Sequence, residues 1–366
     1  MHQVKKHLLA AALLAVMPVV AEAADVSIGA VLPLSGANAT LGDDQRRGIE
    51  LAVDQINRNG GVLGGQKLRV IVEDSGGRAP SALDAAKKLV TVDRVPIVLG
   101  EYSSGITIPI GQYLVQEGRV HVNIGSSSGR IRGLGDGAFS VVGLDNVSAA
   151  FAARDVIGSG WKKAAVIVPN NAYGQSVAEQ FRKAFSTVGG EVVSTILYTE
   201  GQTTYRRELQ QVERAAPDVY VYSAYGKEAA TINREAFELG LNATPWYGIY
   251  LSMCTADADP KFVQGQYGLD LNYIGPDGVA YEAAYKTQYK EPFKSSFSGY
   301  GYDAVMLAAA AINKAGSADP KAITAALKEI GHGYKGATGD ITFDADRQRA
   351  AQPYLKLILK NGLQQR

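Results

Sequence analysis

Along the chain, short apolar runs rich in β-branched residues alternate with longer stretches whose apolar positions recur at helical spacing. Val26 to Leu34 predicts a strand, and Gln45 to Asn57 a helix with Ile49, Ala52, Val53 and Ile56 along one face. Leu68 to Val72 and Ile97 to Leu99 read as strands, with a helix over Ser81 to Val90 between them. Ile106 to Gln116 is helical in pattern, and Val120 to Ile124 is again extended. After Leu144 the rhythm restarts. Strands are predicted at Ala164 to Val168, Glu191 to Leu197 and Val219 to Tyr222, and helices at Tyr173 to Val188 and Thr204 to Ala215. Alternation of this kind implies parallel sheets flanked by helices, and two such sets predict an α/β protein with two doubly wound parallel-sheet lobes.

Open parallel sheets bind ligands at the carboxyl ends of their strands. The loops of interest therefore follow Leu34, Leu99, Ile124, Val168, Tyr222 and Tyr247. They read Ser35-Gly36-Ala37, Glu101-Tyr102-Ser103-Ser104-Gly105, Gly125-Ser126-Ser127-Ser128-Gly129, Asn170-Asn171-Ala172-Tyr173-Gly174, Ser223-Ala224-Tyr225-Gly226 and Gly248-Ile249-Tyr250-Leu251. Any one of these is explained by helix caps and turns. Their shared bias toward hydroxyls, glycine and tyrosine predicts a binding cleft. Serine hydroxyls and helix N-terminal amides suit a carboxylate or phosphate, and tyrosines supply flat walls with one polar tip.

The N-terminus changes the picture of where the chain works. Lys5 and Lys6 precede an apolar run from Leu8 to Val20, which Ala21-Glu22-Ala23 closes with the small-x-small pattern of a cleavage site. Residues 1–23 are expected to be a signal peptide. No cysteine follows the run to carry a lipid, so an exported, soluble product without a lipid anchor is expected.

Composition narrows the chemistry. The 366 residues are 46% hydrophobic and 20% charged, a globular balance that leaves room for two domains. Lys+Arg number 37 against 36 Asp+Glu, so no basic excess argues for nucleic-acid binding. A single cysteine, Cys254, and four histidines leave no thiolate zinc site, and neither a metal nor a cofactor is expected. His121 lies in an apolar strand and reads as a core imidazole, while His332 sits between glycines and reads as a turn residue. The serines of Glu101 to Gly105 are not in a G-x-S-x-G elbow, and no cleft loop carries a histidine base, which argues against an exported hydrolase. Gly60-Gly61 and Gly64-Gly65 fit no phosphate-loop spacing and are explained by a helix end and a hairpin-like turn. Tyr300 and Tyr302 open an alanine-rich helix, where core packing and a cleft-rim role are both open.

Ile28 to Gly36, Gly48 to Asn57, Gly60 to Gly65, Pro169 to Gly174, Ala216 to Tyr222, Gly301 to Ala304 and Gly339 to Asp344 together resemble the leucine/isoleucine/valine-binding proteins. These are type I periplasmic solute-binding proteins of ABC transporters. The resemblance runs over essentially the whole chain after residue 23. It implies a periplasmic, monomeric, non-enzymatic receptor that closes on a small ligand and hands it to a membrane permease with its ATPase. It also implies two lobes joined by three hinge crossings, expected here as residues 24–144 with 275–343, and 145–274 with 344–366. A role as ligand presenter to a separate membrane sensor stays open.

Carried over residue by residue, the resemblance implies a ligand carboxylate held by Ser104, Gly125 and Ser127 and covered by Tyr173 and Tyr225. Leu41 stands where the family has a large ring, and Tyr102 adds a ring where branched-chain binders have an aliphatic residue. Tyr250 stands where the amino-acid binders place the glutamate that takes the ligand's ammonium. A phenol cannot supply that charge, though Glu101 or Asp145 offers one from elsewhere. The expectation is therefore an amino-free, aromatic carboxylate, with an amino acid as the alternative.

Overall fold

The computed structural model describes residues 24–365 apart from 272, 274 and 362, so the expected signal peptide lies outside the described residues. The first half runs β1 (Val26–Leu32), α1 (Ala39–Arg58), β2 (Leu68–Asp74), α2 (Ala79–Thr91), β3 (Ile97–Gly100), α3 (Ser104–Gln116), β4 (Val120–Asn123) and β5 (Ala138–Gly143). The second runs α4 (Asp145–Gly158), β6 (Lys163–Pro169), α5 (Ala172–Thr187), β7 (Glu191–Tyr198), α6 (Arg206–Glu213), β8 (Val219–Tyr222), α7 (Gly226–Glu238) and β9 (Trp246–Ile249). Then come α8 (Leu251–Thr255), α9 (Pro260–Val263), β10 (Tyr267–Leu271), α10 (Gly275–Tyr289), α11 (Phe297–Ala315) and α12 (Pro320–Ile330). The chain ends in β11 (His332–Gly336), β12 (Gly339–Thr342), β13 (Gln348–Arg349), β14 (Tyr354–Lys360) and β15 (Leu363–Gln365).

The strands form two main sheets, ordered β13-β5-β4-β3-β1-β2 and β15-β14-β10-β9-β8-β6-β7. The first is parallel throughout, and the second is parallel from β10 to β7. Only β14 runs against the other strands, pairing antiparallel with both β10 and β15, because β13 leaves the first sheet at its carboxyl edge and the chain enters the second sheet from there. Central strands such as Ile97–Gly100 and Val219–Tyr222 are buried along their whole length, as sheets covered on both faces require.

The chain changes sheet after β5, after β10 and between β13 and β14. The last change differs from the expected boundary at residue 343. Gln348 and Arg349 still pair with β5, so the first lobe keeps the chain until Arg349. Arg349 explains this. Its buried guanidinium donates to the carbonyls of Val141, Thr338, Gly339 and Asp340 and to the Thr338 hydroxyl, which fastens β13 to the β11–β12 hairpin.

Helix α11 covers the first sheet beside α1, and the two approach closely enough that a Cβ on Gly48 would lie 1.9 Å from the Ser298 carbonyl oxygen. Tyr300 is fully buried in this layer, while Tyr302 is half-buried and donates to Gln55 at 2.6 Å. Asp303, also on α11, accepts from Ala337 N, Thr338 N and the Thr338 hydroxyl at 2.7, 2.9 and 2.5 Å. The Asp303 to Ala337 linkage roots the hairpin under the hinge. His121 is a buried neutral imidazole whose Nε2 donates to Gly100 O, and burial pushes its pKa down to about 4. His332 is exposed and opens β11 rather than lying in a turn.

Asp303→Ala would leave two backbone donors and a hydroxyl buried without an acceptor and remove the acid nearest Arg349. We expect a loss of about 3–5 kcal/mol in urea unfolding. A change below about 1 kcal/mol would show that the hairpin is held by other contacts.

Candidate functional site

The carboxyl edges of the two sheets face each other, and between them lies a small cavity. Its wall is Tyr102, Ser103, Ser104, Gly125, Ser127, Tyr173, Tyr225, Tyr250, Met253 and Phe297. Seven of the eight residues singled out in the sequence are brought together here. The exception is Leu41. It is fully buried on the first turn of α1 and packs in the hydrophobic core, not on the cavity wall. An aliphatic side chain has no polar tip to keep at a cleft and gains more by completing the core.

The first lobe contributes a polar floor. Ser103 stands at the N-cap position of α3 without a side-chain capping bond and Ser104 is the first residue, so this helix begins at the cavity and directs unpaired N–H groups and its positive end there. The adjoining loop is shaped by Asn123, which accepts from Gly125 N and Ser126 N and donates to Ser126 O and Ser140 Oγ. Gln45 donates to Ile124 O at 3.1 Å and ties the same loop to α1. A Cβ on Gly125 would lie 2.8 Å from the Tyr102 Cα, so the two loops can meet only with glycine there. Ser126 is turned inward to Thr107 and the Tyr102 carbonyl, which leaves Ser127 on the wall.

The second lobe contributes rings. Asn171 caps α5 by accepting from Tyr173 N and Gly174 N, both at 3.0 Å. The Tyr173 hydroxyl pairs with Ser223 Oγ at 2.6 Å, and Ser223 donates on to Ile249 O. Tyr225 donates to Glu200 at 2.8 Å and accepts from Asn171 Nδ2 at 2.6 Å. Tyr250 stands at the head of α8 with φ +63°, a left-handed conformation rare and strained for an aromatic residue. Its hydroxyl pairs with that of Tyr354, the first residue of β14, which ties the wall to the third crossing.

Contacts between the lobes close the cavity. Tyr102 meets Tyr225 of the other lobe edge-on at 5.5 Å. Lys227 N donates to Ala37 O, Thr40 Oγ1 to Asp257, and Gly129 N to Ser176 Oγ. Gly226 allows the first of these, because a Cβ there would lie 2.2 Å from Ala37 O.

Ser103, Met253 and Phe297 were not anticipated on the wall. For Phe297 a signal existed, since Ser295-Ser296-Phe297-Ser298 has the hydroxyl-rich character of the other loops but opens a helix that follows no strand.

Among the described residues, no carboxylate lines the cavity. Glu101 accepts from Ser75 Oγ at 2.6 Å and from Ser103 N at 2.8 Å, so its charge faces the loop beneath. Burial pushes its pKa up to about 7, against those two bonds. Asp145 begins α4 behind Ser127, fully buried, with neither oxygen in hydrogen-bond geometry with a donor. Burial likewise raises its pKa to about 7, while the Ser127 and Ser176 hydroxyls are close enough to pull the other way. No histidine lines the cavity, and among the described residues no cluster of His, Cys, Asp and Glu is placed to hold a metal. Also among them, no helix is long and apolar enough to cross a membrane.

The raised Asp145 pKa makes a signed prediction. The folded protein retains a proton that the unfolded chain releases between about pH 4 and 7, so this group lowers stability as pH rises through that window. Asp145→Asn should therefore gain thermal midpoint over the parent progressively from pH 4 to 7, then hold a constant advantage. A pH-independent difference would mean that Asp145 is not buried as a lone acid.

Residues 25–361 match the model of a periplasmic binding protein family. The chain is 30% identical over 329 residues to the amino acid binding protein of Pseudomonas aeruginosa, covering 86% of each. Its fold is similar to the crystal structure of a leucine binding protein from Thermotoga maritima, with a TM-score of 0.85 at 22% identity, over 93% of this chain and 97% of that one. It is also similar to an R. palustris ABC transporter solute-binding protein in complex with benzoate, with a TM-score of 0.83 at 21% identity, over 93% and 95%. Two parallel-sheet lobes around one cavity, with a family match over nearly all of the described chain, place this protein in the periplasmic binding protein family.

Proposed function

We propose that this protein is the receptor of an importer for an amino-free, aromatic carboxylate. The carrying observation is a wall of serine hydroxyls, a helix N-terminus and aromatic rings that includes no carboxylate. Ser104 and Ser127, with the backbone at Gly125 and the start of α3, hold the carboxylate; Tyr102, Tyr173, Tyr225, Tyr250 and Phe297 enclose the body. An ammonium buried there without a counter-charge would cost several kcal/mol, whereas an aromatic contact adds about 0.5–1.5 kcal/mol beyond burial. The benzoate complex of a similarly folded protein supports the view that this fold accommodates such an acid. Residues 1–23 export the chain to the periplasm, where it works as a non-catalytic monomer. The closed, loaded form is what the permease and its ATPase receive.

An amino acid is the second reading, favoured by the relative named an amino acid binding protein and by the unpartnered acid at Asp145.

Calorimetry with matched pairs, each amino acid against its 2-oxo counterpart, separates the two. The amino-free member is expected to bind more tightly in every pair; consistent preference for the amino member would overturn the reading. A hydroxyl bonded to an ion contributes about 1.5–3 kcal/mol, so Ser104→Ala and Ser127→Ala should each weaken binding by one to two orders of magnitude. Parent-like affinity in both variants would misplace the carboxylate.

A further inference from the structure

The tyrosines on the wall are not equivalent. Tyr225 uses its hydroxyl as donor to Glu200 and as acceptor from Asn171. Tyr173 is paired with Ser223, which donates onward to Ile249 O, so the phenol's proton points at Ser223. Tyr250 is paired with Tyr354. These three present ring faces to a ligand and keep their polar tips in the protein. Tyr102 differs: its hydroxyl is buried and has no partner, the only such side-chain atom on the cavity wall among the described residues. Burial raises its pKa well above the ordinary value, with Tyr173 and Tyr225 of the opposite lobe adding to the effect, so it stays a neutral donor at any physiological pH.

A buried hydroxyl without a partner is costly, and a ligand acceptor that meets it recovers that cost. The ring is held by Phe297 on its own lobe and by Tyr225 across the cleft. The donor is therefore in place only when the lobes are together. It also arises from the loop that supplies Ser103 and Ser104.

We propose that Tyr102 is a specificity-determining residue whose hydroxyl donates to a neutral oxygen acceptor on the body of the ligand, distinct from the carboxylate. The ligand is then an oxygen-substituted acid, such as a hydroxy- or oxo-aryl acid, and a plain aryl acid is a weaker one. This inference rests on the amino-free carboxylate reading and names the second polar group which that reading leaves open.

The test compares the parent with Tyr102→Phe by calorimetry against benzoate, 3-hydroxybenzoate, 4-hydroxybenzoate and phenylglyoxylate. At least one oxygen-bearing acid should bind the parent about tenfold more tightly than benzoate. Tyr102→Phe should lose that tenfold preference, so that the ratio of its affinities for the oxygen-bearing acid and for benzoate falls to about one. The thermal midpoint of the unliganded variant should equal or exceed the parent's, because no protein group loses a partner. An equal weakening of every acid, no change in any of them, or a lowered unliganded midpoint would each overturn the role of the hydroxyl. Absence of binding heat for all four acids with both proteins would instead fail the amino-free reading, and this inference with it.

Discussion

A strand in a parallel sheet hands its chain to a helix at the carboxyl edge, and there the first helical N–H groups have no partner inside the helix. That constraint organises the cleft. In the first lobe α3 opens at Ser103 and Ser104 without a side-chain cap, so its free N–H groups stay at the cavity, and the Gly125 to Ser128 loop folds alongside under Asn123. In the second, Asn171 caps α5, while α7 opens at Tyr225 without a side-chain cap. Two such edges facing one another make a cavity that is polar from below and aromatic from above without any charged group on its wall.

Charge has been moved into the scaffold. Asp44 accepts from Tyr285, Ser295 and Lys294, and so joins α1, α10 and the approach to α11. Asp270 accepts from Ser252 N beside the second crossing, and Asp303 braces the hairpin that Arg349 also holds. Each of these acids is met by donors that offset part of the cost of its burial. Asp145 is the exception, standing between Ser127 of one lobe and Ser176 of the other at the first crossing with no donor in bonding geometry. A lone acid at a hinge makes the joint between the lobes sensitive to protonation.

The rings take over the part that a charge would play in orienting a ligand. Tyr102 and Phe297 come from the first lobe and Tyr173, Tyr225 and Tyr250 from the second, so the box exists only when the lobes are together. Rings bury a large area while losing little side-chain freedom, and three of the four phenols are anchored by their own hydroxyls.

Periodicity along the chain determined the two parallel sheets, because strand and helix spacing differ and alternate cleanly. Strand ends then identified the loops that carry Ser104, Gly125, Ser127, Tyr173, Tyr225 and Tyr250. Family resemblance added that these loops face one cavity. Three things were decided only in three dimensions. Leu41 shares the motif pattern, yet its orientation on α1 sends it to the core. Phe297 reaches the wall from a helix distant in sequence, because α11 packs on α1 at Gly48. The third crossing follows Arg349, since that guanidinium finds its carbonyl partners in the first lobe. Sequence spacing reports which residues share an element and a face; whether a hydroxyl or a carboxylate meets a partner depends on groups that only the fold brings beside it. For that reason the amino acids named Tyr102 and Glu101 before any fold was known, and only the packed lobes showed one with a free hydroxyl and the other with its charge already met.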